Sequence, residues 1–452
     1  MLPHRIRIVA SAAVVLAASG AQAQDVLKGS AAFGDWRADK PGVRRHITAQ
    51  DLPPVTTPTT ADTHVERKPT GASPTVPEGF AVSIFATGLK NPRAMKVAPN
   101  GDLFVADSKA DEIHVYRPSA DGTKPASHEV FASGLHQPYG IAFYPPGPDP
   151  KWVYVGNSDS VVRFAYMNGA MKAAGAAESI VGHIPSVHHW TRDLAFTPDG
   201  ARLLIAVGSG SNVAEGMPSD PHAALLLNPH PVKGLADWIA TEPLGATWDG
   251  EELRADVLSV DPMGKDMKIF ATGLRNCTGL TISPATGQPW CVVNERDLIG
   301  DNTPFEYATH VEEGKFYGWP WYYIGGNEDP REKGRRPDLK DKVTVPDVLM
   351  QAHSAPLQIA FYEAAAFPAS YKGGAFVTMH GSWNRAQRTG YKVVYLPFRD
   401  NKPTGEYVDF MTGFVTTEGN AWGRPVGVAV AKDGSLFVSD DGSNTIWRVA
   451  RR

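Results

Sequence analysis

From Val76 onward one pattern returns six times: a small-residue turn, a short apolar run, a turn of the Pro-(Asp/Asn)-Gly kind, and an alternating stretch that ends in Asp, Asn or Ser. The copies are GLKNPRAMKVAPNGDLFVAD from Gly88, GLHQPYGIAFYPPG with KWVYVGNSD from Gly134, and HHWTRDLAFTPDGARLLIAVGSGSN from His188. They continue with GLRNCTGLTISPATGQPWCVVNERD from Gly273, HSAPLQIAFYEAAAFPASYKGGAFVTMHGS from His353 and WGRPVGVAVAKDGSLFVSDDGSN from Trp422. A unit this short cannot bury its own apolar face, so the copies must stack, and units made of strands and turns stack radially as blades. Period-2 alternation, as at Leu103 and Val105 or Leu436 and Val438, supplies side chains to pack between neighbouring blades. The chain is thus expected to be all-β, a six-bladed β-propeller over 76–452 preceded by an irregular arm over 24–75. Its 44 glycines and 37 prolines suit the many tight turns this requires.

The segment 24–75, with DLPPVTTPTTADTHVERKPTGASPT, is polar and Pro/Thr-rich and reads as a surface arm or linker. Before it, His4, Arg5 and Arg7 precede an apolar run from Ile8 to Ala18 and the small residues of AQAQ, the layout of a signal peptide over 1–23. That run is too short to span a bilayer and no later segment is apolar enough, so a periplasmic or secreted protein without a membrane span is expected. In an oxidising compartment Cys277 and Cys291 are expected to pair as a disulfide. A net charge of −4 with no Lys/Arg block offers no footprint for nucleic acid, which points to a small, neutral partner. No CxxCH haem motif occurs, so electrons taken from a substrate would leave to a separate acceptor.

In a radial arrangement the first strand of each blade lines the central channel, and the residues just before it gather at one mouth. Those places hold Arg93, Gln137, His189, Arg275 with Asn276, His353 and Arg424, unlike polar groups brought to one axis from distant parts of the chain.

The motifs HWTRDLAFTPDG, GLRNCTGL, NERDLIGDN, GKFYGWPW and HSAPLQIAFY resemble the glucose/sorbosone dehydrogenase family of soluble quinoproteins over roughly Val76 to Arg452, most of all its sorbosone dehydrogenase branch. The resemblance implies pyrroloquinoline quinone (PQQ) on the pore axis, Ca2+, and oxidation of an aldose or aldosulose to a lactone or acid. Electrons would then pass to a periplasmic cytochrome or quinone-linked carrier.

By the same resemblance His189, placed ahead of the Leu194-Ala195-Phe196 strand, is the general base, a role that suits an imidazole. His188 beside it is the alternative if the register differs, and Asp193 is a polar neighbour. Arg275 matches the guanidinium that stabilises negative charge developing on the quinone oxygen, and Asn276 the cofactor rim. PQQ carries carboxylates that call for arginine forks, and Arg424 in WGRPVG is the matching residue. Val426 stands where the glucose dehydrogenase branch has a second arginine, and HGSWNR replaces a fifth-blade lysine, leaving Arg385 as the candidate substitute. His353, Ser354 and Gln137 are expected at the cofactor edge; Trp190 and Trp422 are either stacking platforms or packing. Calcium prefers oxygen ligands, and the resemblance places them in NERDLIGDN: the carbonyls of Arg296 and Asp297 and the Asp301 side chain. The excursion from Val213 to Arg254 is read as a rim insertion or a structural cover.

Two other readings stay open on the residues: a calcium-dependent lactonase, which would put acidic metal ligands on the axis, and a non-catalytic propeller that binds carbohydrate or protein.

Overall fold

A computed structural model describes residues 25–60 and 64–452; the expected signal peptide lies outside the described residues. Each of the six repeats opens a sheet; in the first four blades the antiparallel strands follow chain order outward from the axis, and in the last two the outer strands come from earlier in the chain. The inner strands are Pro92–Val97, Ile141–Tyr144, Leu194–Phe196, Cys277–Ile282, Pro356–Phe361 and Pro425–Val430, opening blades one to six. The strand Phe80–Thr87 pairs with Thr445–Arg451, so the sixth blade is built from both ends of the repeat region and closes the ring. Among the described residues the only α-helix is Leu235–Thr241, and no helix is long and apolar enough to cross a membrane.

The alternation read in the repeats has a direct packing meaning. Leu103–Asp107, second strand of the first blade, is buried along its whole length because its two faces serve different neighbours. Leu103 and Val105 pack with Phe85, Phe437 and Ile446 of the sixth blade, whereas Phe104 and Ala106 pack with Ile141, Val153 and Val155 of the second. Middle strands therefore read as nearly unbroken apolar runs.

Cys277 and Cys291 form the expected disulfide, with Cα atoms 5.8 Å apart and a sequence separation of 14. A cross-link closing a loop of this size removes unfolded-state entropy worth about 3 kcal/mol. Replacing both cysteines with alanine is expected to lower the unfolding free energy by about that amount in a urea melt; an unchanged midpoint would contradict it.

The N-terminal segment is largely irregular, as expected, yet it is more than an arm. Arg44–His46 adds antiparallel to Glu406–Met411, and Val26–Lys28 adds parallel to Arg44–His46, making the fifth-blade sheet six-stranded. The seam is a buried charge cluster: Arg45 bridges Asp409 and Asp39 at 2.8 Å each, and Lys392 reaches the same two carboxylates at 2.8 and 2.7 Å.

The excursion 213–254 leaves the third blade between its second and third strands. Its Met217, Trp238 and Trp248 pack against Phe316, Trp319 and Trp321 from a long connection in the fourth blade, forming a satellite core outside the ring. Its approach also enters the mouth, as described next.

Candidate functional site

Antiparallel pairing decides which residues meet at the mouth. The start of each inner strand lies opposite the end of the second strand: Pro92 pairs with Asp107, Cys277 with Val293, Pro356 with Met379 and Pro425 with Asp440. The rim is thus built from two sets of segments, those before the first strands and those after the second.

His189 shows how the sets cooperate. Its Nδ1 lies 3.0 Å from the carbonyl oxygen of Ser209 and 3.0 Å from the Ser209 hydroxyl, whose own proton is given to the Ser211 carbonyl at 2.6 Å. A carbonyl only accepts, so Nδ1 carries the hydrogen and Nε2 keeps its lone pair. Burial, helped by Arg275, holds the imidazole well below its ordinary value of 6.5. The backbone around it is pinned: Arg254 Nη2 donates to the carbonyls of Val187 (2.6 Å), Ser209 (2.5 Å) and His189 (3.2 Å), and Arg192 Nη1 to His189 (3.0 Å). Gly208 lets this strand end approach its neighbours: a Cβ there would stand 2.2 Å from Asn276 Oδ1 and 2.7 Å from His189 Cβ. His188 is exposed, with its ring centroid 4.3 Å from that of His189. Asp193 lies deeper, accepting from the backbone of Leu194 and Leu280 at 2.9 and 2.8 Å, and burial pushes it up to about 6.

Arg275 is buried and fully engaged. Nε donates to the Asn212 carbonyl, Nη1 to those of Asn294 and Glu295, and Nη2 to Asn212 Oδ1 and Asp297 Oδ2, at 2.6 to 3.3 Å. Asn212, at the foot of the excursion, is thus a positioning residue. Behind the guanidinium, burial pushes Glu295 up to about 7 and Glu306 well above the carboxylate range, so near neutral pH the two together carry less than their full formal charge beside it. Asn276 is buried with Oδ1 unpaired.

Across the mouth, Asp441 gathers Arg93 Nη1 at 2.7 Å, His380 Nε2 at 2.8 Å and Asn91 Nδ2 at 3.1 Å. Arg424 is fastened by Nε to the His380 carbonyl at 3.2 Å and by Nη2 to that of Gly381 at 3.4 Å. Burial and the neighbouring Arg424 lower His380 to about 4, so it stays neutral and donates to Asp441. Below these groups Tyr139, Ala94, Leu357 and Val426 form an apolar floor on the axis, with Trp190 packed against it and the Arg93 guanidinium 5.5 Å from the Trp190 ring. Trp422 is packing, part of the core between the fifth and sixth blades.

The remaining candidates fall in different surroundings. His353 is buried, gives its Nε2 hydrogen to the Gly300 carbonyl at 2.8 Å and has Nδ1 3.8 Å from Asp297 Oδ1. Gln137 is exposed, and its backbone N–H bonds Asp111. Arg385 is buried, with Asp301, Asp35 and Asp39 as its charged neighbours at the seam with the N-terminal segment. Gln137, His188, Leu298 and His353 all hold left-handed backbone (φ 45°, 68°, 72° and 64°), strain of the kind that accumulates at functional sites.

Buried polar atoms without a hydrogen-bond partner include Arg93 Nε, Thr191 Oγ1, Asn276 Oδ1, Ser354 Oγ, Asn384 Oδ1 and Arg385 Nε and Nη1. Such atoms ordinarily find partners; the unpaired Asn276 Oδ1 and Ser354 Oγ, with the Arg424 guanidinium across the mouth, fit a flat quinone that carries carboxylates. Of the oxygens expected to hold calcium, those of Asp297 and Asp301 already accept hydrogen bonds within the protein. The Asp297 carbonyl accepts from Arg296 Nη1 at 2.7 Å and Asn212 Nδ2 at 3.2 Å, and the Asp297 carboxylate from Asn384 at 3.0 Å and Arg275 at 3.2 Å. Asp301 accepts from the backbone and hydroxyl of Thr59 and from the Ala386 backbone, so it fastens loops. Among the described residues no group of three or more His, Cys, Asp or Glu side chains is arranged to hold a metal.

Ser209, Asn212, His380 and Asp441 were missed in the sequence, although the repeats held the signal. They follow the second strands in AVGSGSN, VTMHGS and VSDDGSN, and antiparallel pairing brings those ends to the rim.

Fold and rim together define a propeller with a polar site on its axis, at one mouth. The chain belongs to the TrAA12-like family, whose model matches residues 74–224 and 330–452. It is 25% identical over 388 residues to an uncharacterized protein of Borreliella burgdorferi, covering 83% of this chain and 90% of that protein. It is 22% identical to the pyrroloquinoline quinone-dependent pyranose dehydrogenase of Coprinopsis cinerea, over 83% of this chain and 54% of the relative, so it spans about half of that protein's length. Similar solved structures include the holo PQQ domain of that pyranose dehydrogenase (TM-score 0.66, 21% identity, 87% of this chain and 100% of that one). Another is a calcium structure of the Trichoderma reesei AA12 enzyme (TM-score 0.65, 18% identity, 84% and 97%). A third is the PQQ-bound aldose sugar dehydrogenase of Streptomyces coelicolor (TM-score 0.55, 18% identity, 83% and 99%). At these identities the likeness establishes the shared fold.

Proposed function

We propose that this chain is a PQQ-dependent sugar dehydrogenase that oxidises an aldose, or an aldosulose such as sorbosone, to the lactone or acid in the periplasm or outside the cell, passing electrons to a cytochrome or quinone-linked carrier. The observation that carries the reading is the His189 tautomer: Nδ1–H is spent on the Ser209 carbonyl, which leaves Nε2 free to accept a proton. The names of the Coprinopsis cinerea and Streptomyces coelicolor proteins support the substrate class.

Bound at the mouth, PQQ would supply the two-electron acceptor. Arg424, Asn276 and Ser354 are the residues suited to hold it, with Arg385 and His353 behind them. His189 Nε2 takes the hydroxyl proton as the C–H hydride leaves the same carbon, so the sugar loses one proton and one hydride. Arg275, immobilised by its acceptors, keeps a fixed positive charge where negative charge develops. Calcium belongs to this reading through the resemblance alone.

The test is reduction of a dye by the purified protein with PQQ and a panel of aldoses and sorbosone, with and without EDTA. Sugar-dependent dye reduction that requires PQQ supports the reading; ester cleavage without redox change, or no turnover of any sugar, rejects it. Loss of turnover with EDTA, restored by Ca2+, would show that turnover needs the ion.

The depressed His189 also sets a pH profile. Its free form is the active base, and its pKa lies below 6.5, so kcat/KM should hold steady as pH falls through 6.5 and decline only at more acidic pH. An acid limb centred at or above 6.5 would contradict this.

A further inference from the structure

The axial channel continues behind the candidate site. On their axial side the inner strands are edge strands, and no further strand satisfies their N–H and C=O groups there. Two side chains take that place. Gln358 Oε1 accepts from the backbone of Met95 at 3.2 Å and of Val428 at 2.9 Å, and its Nε2 donates to the Met95 carbonyl at 3.2 Å. Asp193 accepts from the Leu194 and Leu280 backbone. With the apolar floor of Tyr139, Ala94, Leu357 and Val426 they form a septum across the axis.

Beyond the septum the axis opens again. A cavity of about 230 Å³ is lined by residues 95–97 of the first blade, Ile141 of the second, Asp193 of the third, 280–282 of the fourth, 358–361 of the fifth and 428–430 of the sixth. Only the axis touches all six blades. In four of them these residues end inner strands whose starts form the front mouth, so the cavity is a rear chamber reached from the opposite face. Its walls are mostly apolar, with Val97, Ile141, Ile282, Pro284, Phe361 and Val430. One cation stands among them, the half-buried Lys96. Among the described residues Lys96 has no hydrogen-bond or ion-pair partner; the charged group acting on it is Asp193, whose two oxygens are spent on the Leu194 and Leu280 backbone. Desolvation lowers the Lys96 pKa, as expected of an ammonium drawn from water without full compensation.

A single ammonium in an apolar chamber selects a ligand made of the same two parts. A carboxylate gives Lys96 the charge-assisted hydrogen bond it lacks, and the walls gain from an apolar body. A sugar, hydroxylated all round, would lose its hydrogen bonds to water against these walls. The volume of about 230 Å³ lies below the range of about 300–1,000 Å³ that suits drug-sized molecules, so the body is one ring or a short chain. We propose that the rear chamber binds a small apolar carboxylate, an aromatic or short-chain aliphatic acid, with its carboxylate on Lys96 and its body between the inner strands. This site goes beyond the dehydrogenase reading and stands independently of it.

The test is titration calorimetry of the purified protein with benzoate, its uncharged isostere benzamide, and inorganic phosphate. The wild type is expected to bind benzoate about tenfold or more tightly than benzamide. Lys96→Met keeps the apolar stem and removes the charge, so it should erase that preference. Arg424→Gln, at the front mouth, should leave benzoate affinity unchanged. Crystals of the wild type soaked in 4-bromobenzoate give an answer that needs no variant: the bromine should lie among the chamber walls and the carboxylate on Lys96. Benzoate binding that survives Lys96→Met but is lost in Arg424→Gln would move the carboxylate to the front mouth and overturn the site. Equal affinity for benzamide, or no benzoate binding, overturns it as well. Phosphate bound more tightly than benzoate would overturn the apolar class of ligand.

Discussion

Replacing His189 with glutamine is expected to lower kcat for sugar oxidation by about 10²–10⁴-fold while PQQ binding is retained. Glutamine can still donate an amide hydrogen to the Ser209 carbonyl, the partner that His189 Nδ1 holds at 3.0 Å, so the local backbone should survive. It cannot accept the substrate proton. The measurement is single-turnover dye reduction with saturating sugar, with cofactor occupancy read from absorbance. A variant within tenfold of wild type would show that the proton leaves by another route. The neighbouring His188 then becomes the candidate, since it is exposed beside His189, and partial desolvation, followed by Arg275, lowers its pKa.

The second large effect concerns the N-terminal seam. Asp409→Ala removes one of two carboxylates shared by Arg45 and Lys392, all of them with side chains at most 6% exposed. Two cations would then crowd on Asp39 out of reach of water. Removing one partner of a buried pair costs about 3–5 kcal/mol, because the charge left behind keeps its desolvation penalty. A urea melt should show a loss of that size, and early proteolysis within 25–60 should accompany it as Arg44–His46 loses its anchor on the fifth blade. A change below about 1 kcal/mol, the range of surface pairs, would mean that the seam is solvated and the segment only a tether.

Much of this could be read in the chain because a repeat states its rule several times. Alternation at Leu103 and Val105 or at Leu436 and Val438 places side chains between blades wherever the ring closes, and each copy's pre-strand segment comes to the mouth by symmetry. His189, Arg275, Asn276 and Arg424 were legible on that ground. The partners after the second strands were less so: Ser209, His380 and Asp441 contribute through register, which periodicity does not display. The surroundings of the Asp297 oxygens were hidden for a related reason. NERDLIGDN contains suitable atoms, but whether a carbonyl is open depends on who donates to it, and Asn212 and Arg296 come to the Asp297 carbonyl from a distant excursion and from the next residue along.

By itself the sequence determined the number of blades, the disulfide pair and the residue types delivered to the axis, since these follow from local pattern repeated along one chain. Tertiary structure alone decided which His189 nitrogen keeps its lone pair, that a Pro/Thr-rich leader is stitched into the fifth blade, and that Arg275 is immobilised by the 213–254 excursion. Each of those depends on groups far apart in sequence meeting within hydrogen-bond distance, and such contacts take their energy from burial and register, which no single segment carries.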